Sequence, residues 1–293
     1  MHLRHTLLAT LVAAAWGFNF VVIHVGIGDF PPLLFSALRF TLAAIPLVFF
    51  IRKPDVPWRI ILGIGGMLGV VKFSLLFIGM DVGLSAGLAS LVLQTQAFFT
   101  IILAGLVLGE RPSGGQLAGM FVAFSGIALV ASTVGGDLSA LGLSLAIASA
   151  LAWACSNLIM KKAGPADMLS LMVWVSLVPP LPLMLLSFLF EGGDAIVAAF
   201  QNLRLVGIGA TLYIAFVATI FGFAVWGKLI NIYGAGKVAP YSLLVPIFGM
   251  SFSSLLLGEE FGPLRLIAAA LVICGLTINQ LSGRKPVSLK PAE

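Results

Sequence analysis

Apolar residues fill this chain in ten long runs, and polar residues gather in the short stretches between them. A helix needs about 20 residues to cross the hydrocarbon of a bilayer. The runs predict helical spans at 6–27, 33–51, 59–80, 84–108, 116–133, 141–161, 168–190, 204–227, 237–257 and 264–282. Turn formers separate them, as in Asp29-Phe30-Pro31-Pro32, Arg52-Lys53-Pro54-Asp55 and Gly135-Gly136-Asp137. The first run opens like an export signal. It continues past Trp16 to Ile27 without a small-residue cleavage site, so it reads as an uncleaved helix.

The pattern repeats. Ala86-Gly87, an apolar run and Leu108-Gly109-Glu110 return 149 residues later, without a gap, as Ala235-Gly236, an apolar run and Leu257-Gly258-Glu259. A further apolar run follows each, with Gly126 matching Gly275. Ala15-Trp16 pairs with Ala152-Trp153, and Gly63-Ile64-Gly65 with Gly207-Ile208-Gly209. A fixed-period repeat means a fold of related units. The units expected are residues 1–136 and 137–283, five spans each, with 284–293 as a polar tail.

Charge adds orientation. Of the 16 Lys and Arg, Arg39 and Lys72 fall within spans, Arg204 and Arg265 at one set of span ends, and the remaining twelve at the opposite set. Cytoplasmic loops carry the excess of basic residues, so both termini are expected in the cytoplasm. Five spans is an odd number, which makes the second half inverted relative to the first. Glu110 is then cytoplasmic and Glu259 external. The expected fold is all-α: ten transmembrane helices as two inverted five-helix repeats. Composition agrees: 60% of residues are hydrophobic and 9% charged, against about a quarter charged in soluble domains. The net charge of +5 is spent on loops and points to no nucleic acid. Cys155 and Cys274 lie in apolar runs and predict packed, reduced thiols.

The paired Ala-Gly and Leu-Gly-Glu segments, the Ala-Trp pairs of spans 1 and 6, and ten spans in 293 residues resemble the EamA family of the drug/metabolite transporter superfamily. The resemblance covers about residues 6–283 and, within the family, is closest to bacterial aromatic amino-acid exporters. It implies a basket of helices in a bacterial inner membrane, alternating access without ATP, a central cavity among spans 1, 3, 4, 6, 8 and 9, and no cofactor. Threonine- or cysteine-type amino acids and drugs are alternative cargoes for such a fold, and a facilitative channel is a further alternative. Two halves in one chain already complete the fold, so a monomer is expected.

Polar groups inside apolar spans are the candidate chemistry, because they are costly unless used. Lys72 lies too deep in span 3 for easy snorkelling. It either faces a substrate carboxylate or reaches a watery vestibule or neighbouring carbonyls. Gln94 and Gln96 sit mid-span 4, about 200° apart around the helix, so one is expected at substrate and the other across a helix interface. Asn19 follows Trp16 by one turn, and Asn157 follows Trp153 likewise. Rings for an apolar side chain and amides for a polar head would line a cavity, although buried tryptophans more often simply pack. Tyr213 is a weaker candidate. Pro246 is the expected hinge of span 9, and Pro179, Pro180 and Pro182 interrupt span 7. Arg39 lies nearer the outer end of span 2, as an exit-path or structural residue. His24 is expected to pack at the interface.

Several classes fall away. All eleven acids lie in loops or at span ends, so neither paired catalytic carboxylates nor a membrane-carboxylate proton relay is expected. The small multidrug branch of the superfamily carries a glutamate in its first span; this span 1 has none. Three histidines, at 2, 5 and 24, make no metal cluster. Gly236-Lys237 lacks the other residues of a phosphate-binding loop.

Overall fold

Lipid offers no partners to backbone N–H and C=O groups, so a chain this apolar must satisfy them within helices. The computed structural model describes residues 1–45, 47–135, 138–164 and 166–282. The boundary expected at 136/137 and the tail 284–293 lie outside the described residues. The described residues are nearly all helical, with ten helices long and apolar enough to span a membrane. They run Leu3–Ile27, Pro32–Phe49, Trp58–Asp81, Ala86–Leu108, Gly114–Ala131, Ala140–Lys161, Met168–Phe190, Leu205–Tyr233, Ala239–Leu257 and Pro263–Ser282, here spans 1 to 10. Large apolar side chains face outward along them: Leu106, Phe121, Leu181, Phe190, Leu205 and Leu255 are all exposed. Exposed apolar surface on this scale marks a membrane-facing protein.

Span 8 continues to Tyr233, past the Lys228 region where the charge pattern predicts its end. A basic residue does not stop a helix; Gly234, at φ 78°, does. A short helix at Gly193–Gln201 packs on the second half of span 7. It lies between spans 7 and 8, and its nine residues are far too few to cross a membrane. Span 7 is two helices, Met168–Val175 and Pro180–Phe190, parted at its proline cluster.

The repeat is visible in local geometry. Gly109 and Gly258 end spans 4 and 9 in the same left-handed conformation, φ 68° and 70°. That conformation costs a side chain but not glycine. Behind them, Glu110 N–H donates to the Ala104 carbonyl and Glu259 N–H to the Ser253 carbonyl, both at 3.3 Å. Spans 4 and 9 each contain a 3₁₀ stretch, Leu93–Thr95 and Ala239–Leu243. Spans 3 and 8 each contain a π-helical stretch, Gly65–Lys72 and Tyr213–Phe221.

The core joins the halves. Span 1 packs along span 9 and against the first half of span 4, and spans 5 and 10 pack along each other. At that last seam the backbones nearly touch: a Cβ on Gly119 would lie 2.6 Å from the Gly275 carbonyl oxygen, and one on Gly275 2.4 Å from that of Gly119. Phe35, Phe77, Phe98 and Ile23 are fully buried among the central spans. Cys155 is half-buried, and Cys274, expected to be packed, is exposed on span 10, whose inward face is taken by Gly275 against span 5.

Candidate functional site

The two ends of the bundle are held differently. At one end, Glu259 accepts from the N–H groups of Ala86 (2.7 Å) and Gly87 (3.0 Å), the first residues of span 4. A carboxylate suits a helix N-terminus, where unpaired N–H groups and the dipole favour negative charge. Glu191 grips Leu33 and Leu34 of span 2 in the same way, at 2.6 and 3.1 Å. An Asp29–Arg204 ion pair adds to this end. At the other end Glu110, the repeat counterpart of Glu259, pairs with Lys161, and both side chains are more than half exposed.

Span 4 reflects the difference. Every residue of its first helix, Ala86–Val92, is buried. In its last helix, Gln96–Leu108, only Phe98 and Ala104 are. The first helix lies on span 9 and the last chiefly on span 6. A cavity of about 170 Å³ opens beside that last helix, lined by Thr100, Ile101, Asn157, Glu110 and Lys161 among others. A more open hollow of about 400 Å³ lies at the Glu259 end, lined by His24, Ser85, Glu259 and Glu260.

The polar residues of the spans fall into pairs. Asn157 Nδ2 donates to Gln96 Oε1 (2.7 Å) and to Thr100 Oγ1 (3.1 Å), tying span 6 to span 4 at the cavity. Gln94 instead crosses to span 9 and donates to the Ser242 carbonyl at 3.3 Å. Ser242 is four residues before Pro246, which has no N–H to offer it. The proline frees a carbonyl, and the glutamine meets it. The irregular part of span 9 starts before Pro246, in the 3₁₀ stretch at Ala239.

Trp16 and Tyr213 join spans 1 and 8. The Trp16 indole N–H donates to the Ala218 carbonyl at 2.8 Å, and the Tyr213 hydroxyl to the Ala15 carbonyl at 2.9 Å. Trp16 also lies 5.0 Å from the Trp226 ring. Their polar atoms are thus engaged, leaving ring faces. Asn19 Oδ1 is buried without a partner.

Lys72 is 5% exposed, with its Nζ 3.3 Å from the centroid of Phe73 and 4.8 Å from that of Trp153. Among the described residues it makes cation–π contacts but no hydrogen bond or ion pair. The neighbouring span 6 is anchored by Ser149, whose hydroxyl donates to the Lys72 carbonyl at 2.8 Å. So the structure brings Lys72 to Trp153 and Gln96 to Asn157, while Trp16, Tyr213 and Gln94 tie spans together. Sequence reasoning placed Arg39 toward the outer end and assigned nothing to Phe73 or Thr219. Arg39 is 4% exposed, donates to Thr219 Oγ1 at 2.9 Å, and lies 3.9 Å from the Phe73 centroid. Its burial follows from the partners its side chain reaches, Thr219 and Phe73, which counting from span ends does not show.

The chain is similar to known transporters along its length. It is 44% identical over 279 residues to a probable amino-acid metabolite efflux pump of Salmonella typhimurium, covering 93% of each chain. It is 41% identical over 286 residues to a protein of the same description from Escherichia coli K12, covering 95% of each. A probable terminal-alkyne amino-acid exporter of Streptantibioticus cattleyicolor is 26% identical, with 92% of this chain and 90% of that one covered. One crystal structure, 20% identical, superposes with a TM-score of 0.58 over 95% of this chain and 96% of its own, which speaks for the fold. The EamA-like transporter family model matches twice, at residues 4–132 and 140–280. With both halves matched and relatives above 40% identity end to end, this multi-pass membrane protein belongs to the EamA-like transporter family.

Proposed function

We propose that the protein exports amino acids, aromatic or otherwise apolar ones, across a bacterial inner membrane by alternating access. The observation that carries this reading is the one-sided grip on span 4. Its first half is clasped by Glu259 and buried against span 9, while its last half flanks a cavity beside an exposed Glu110–Lys161 pair. A carrier whose two ends are held unequally has this asymmetry, with a hollow at each face, and matched Leu-Gly-Glu motifs at the two ends supply parts for the reverse arrangement. Inverted repeats with a site between the halves are a common transporter construction. The basic bias of the loops puts the Glu110 end in the cytoplasm, with both termini, and makes residues 1–136 and 137–283 the inverted units. One copy of the chain suffices.

Cargo class follows from the relatives described as amino-acid metabolite efflux pumps and from the polar and aromatic residues gathered within the spans. Lys72 faces the substrate carboxylate, Trp153 its apolar side chain, and Gln96 and Asn157 its polar head. Trp16, Asn19 and Tyr213 form the wall between spans 1 and 8, and Gln94 holds the crossing of spans 4 and 9 near the Pro246 hinge. Every described acid lies at a span end, in a loop or, for Asp194, on the short helix after span 7, so transport runs without a membrane-carboxylate proton relay.

The test is uptake into proteoliposomes of phenylalanine, tryptophan, threonine and a sugar phosphate, with Lys72→Ala beside the parent. Saturable aromatic flux, accelerated by substrate on the far side and lost in the variant, is the expected result. Flux without saturation or trans-stimulation would mean a channel. Absence of any amino-acid flux would overturn the cargo assignment.

A further inference from the structure

A cation in the middle of a membrane span is unfavourable by about 2.5–3.5 kcal/mol on insertion scales. Two such cations share one aromatic ring here. Arg39 Cζ lies 3.9 Å and Lys72 Nζ 3.3 Å from the Phe73 centroid. The cationic centres are therefore no more than about 7 Å apart, both within cation–π range of that ring. Both side chains are buried, at 4% and 5% exposure. The ring quadrupole and Thr219 are modest compensation. Arg39 spends one nitrogen on Thr219, across 180 residues of sequence, and its Nε and Nη1 are buried with no partner. Ser36, one turn earlier on the same face of span 2, has a buried hydroxyl that is also without a partner. Among the described residues no carboxylate answers them; the ion pairs Asp29–Arg204 and Lys161–Glu110 lie at span ends.

We infer that Arg39 and Lys72 together form an anion site around Phe73, and that its ligand is the carboxylate of the transported molecule. The inference rests on the carrier reading above and extends it from Lys72 to a two-cation site. Nη2 gives one of its two hydrogens to Thr219; the other, beside the unpartnered Nε–H or the unpartnered Nη1–H, makes a parallel donor pair that matches the two oxygens of a carboxylate. Phe40, Phe73 and Trp153 stand against the two cations, so an organic acid with an apolar body fits where an inorganic anion would leave the rings unused. Thr219 positions the guanidinium from the other half of the chain, so a ligand on Arg39 touches both halves at once. The carboxylate is then obligatory for recognition. An ester, or an amine lacking the acid, leaves two buried charges unanswered.

Ligand-induced thermal stabilisation of the purified full chain in detergent, with phenylalanine, its 2-oxo acid, its methyl ester and phenethylamine, tests this. Wild type, Arg39→Lys, Arg39→Gln and Lys72→Gln would be compared in chloride and in gluconate. The expected result is stabilisation by both acids and on the order of tenfold to a hundredfold weaker response to ester and amine. Arg39→Gln and Lys72→Gln should each weaken the acids by a similar factor and leave the ester response alone, with Arg39→Lys intermediate. Should Arg39→Gln fail to fold, the acid-against-ester contrast on wild type and Lys72→Gln decide. Equal response to acid and ester overturns the site. So does a chloride requirement lost in Arg39→Gln with acid binding intact, which would make the ligand a resident inorganic anion. Binding of the 2-oxo acid through Arg39, without binding of any amino acid, supports the site and overturns the amino-acid cargo instead.

Discussion

Gln96 and Asn157 answer each other across spans 4 and 6 at the edge of the cavity, with Thr100 as a third partner. Hydrogen bonds between spans are modest in energy, averaging about 0.6 kcal/mol, because the separated helices also find partners. A Gln96→Ala/Asn157→Ala double-mutant cycle on thermal unfolding is expected to give a coupling of about that size. The same variants are expected to slow transport well beyond what so small a stability change explains, if the amides meet cargo. Comparing initial flux with unfolding midpoints checks this. The two glutamines of span 4 show what could be read at this scale. Their angular separation says that they differ in use; only the freed Ser242 carbonyl opposite Pro246 says which one crosses to span 9. Arg39 shows what could not. Its meeting with Phe73 and Thr219 depends on three spans from two halves, and no local pattern announces that.

At the scale of elements, the apolar runs and their glycine and proline punctuation were sufficient to place all ten spans. The irregularities inside them were not legible. The π-helical stretches of spans 3 and 8 have no composition of their own, yet they hold Lys72, Tyr213, Ala218 and Thr219, four of the residues that organise the centre. A π-helix closes its hydrogen bonds one residue later than an α-helix, and such segments are rare and often functional. Deleting Gly66, whose Cβ position faces open space, lets the stretch relax toward α-helix. Span 3, 24 residues long, remains able to cross. The deletion is expected to preserve insertion and folding, and, because it removes an extra residue that the π stretch accommodates, to shift the residues inside the stretch while the two ends of the span stay in phase. Normal yield and a normal unfolding midpoint with lost transport is the outcome that supports this; normal transport would show that the π stretch has no role.

For the whole molecule, the repeat was legible because Leu-Gly-Glu needs a left-handed glycine at the end of each span, and only glycine takes that backbone without cost. Which copy of the glutamate would be clasped was not legible, since the motif that marks them, Leu-Gly-Glu, is the same in both. The unequal use of Glu259 and Glu110 has a kinetic consequence. An uncoupled carrier obeys detailed balance, so Vmax/KM must be equal for flux in either direction. The separate constants need not be equal. An empty carrier that rests open at the Glu110 face presents its site there most of the time, which lowers KM on that face and raises KM and Vmax together on the other. Removing the clasp with Glu259→Ala is expected to bring the two KM values together by at least about tenfold, the effect of losing its two charged hydrogen bonds. Influx and efflux measured on oriented vesicles check it. Such a carrier saturates at low concentration from the Glu110 side and only at high concentration from the other, while dilute cargo crosses equally fast from either side, so the cargo gradient alone sets the direction of net transport.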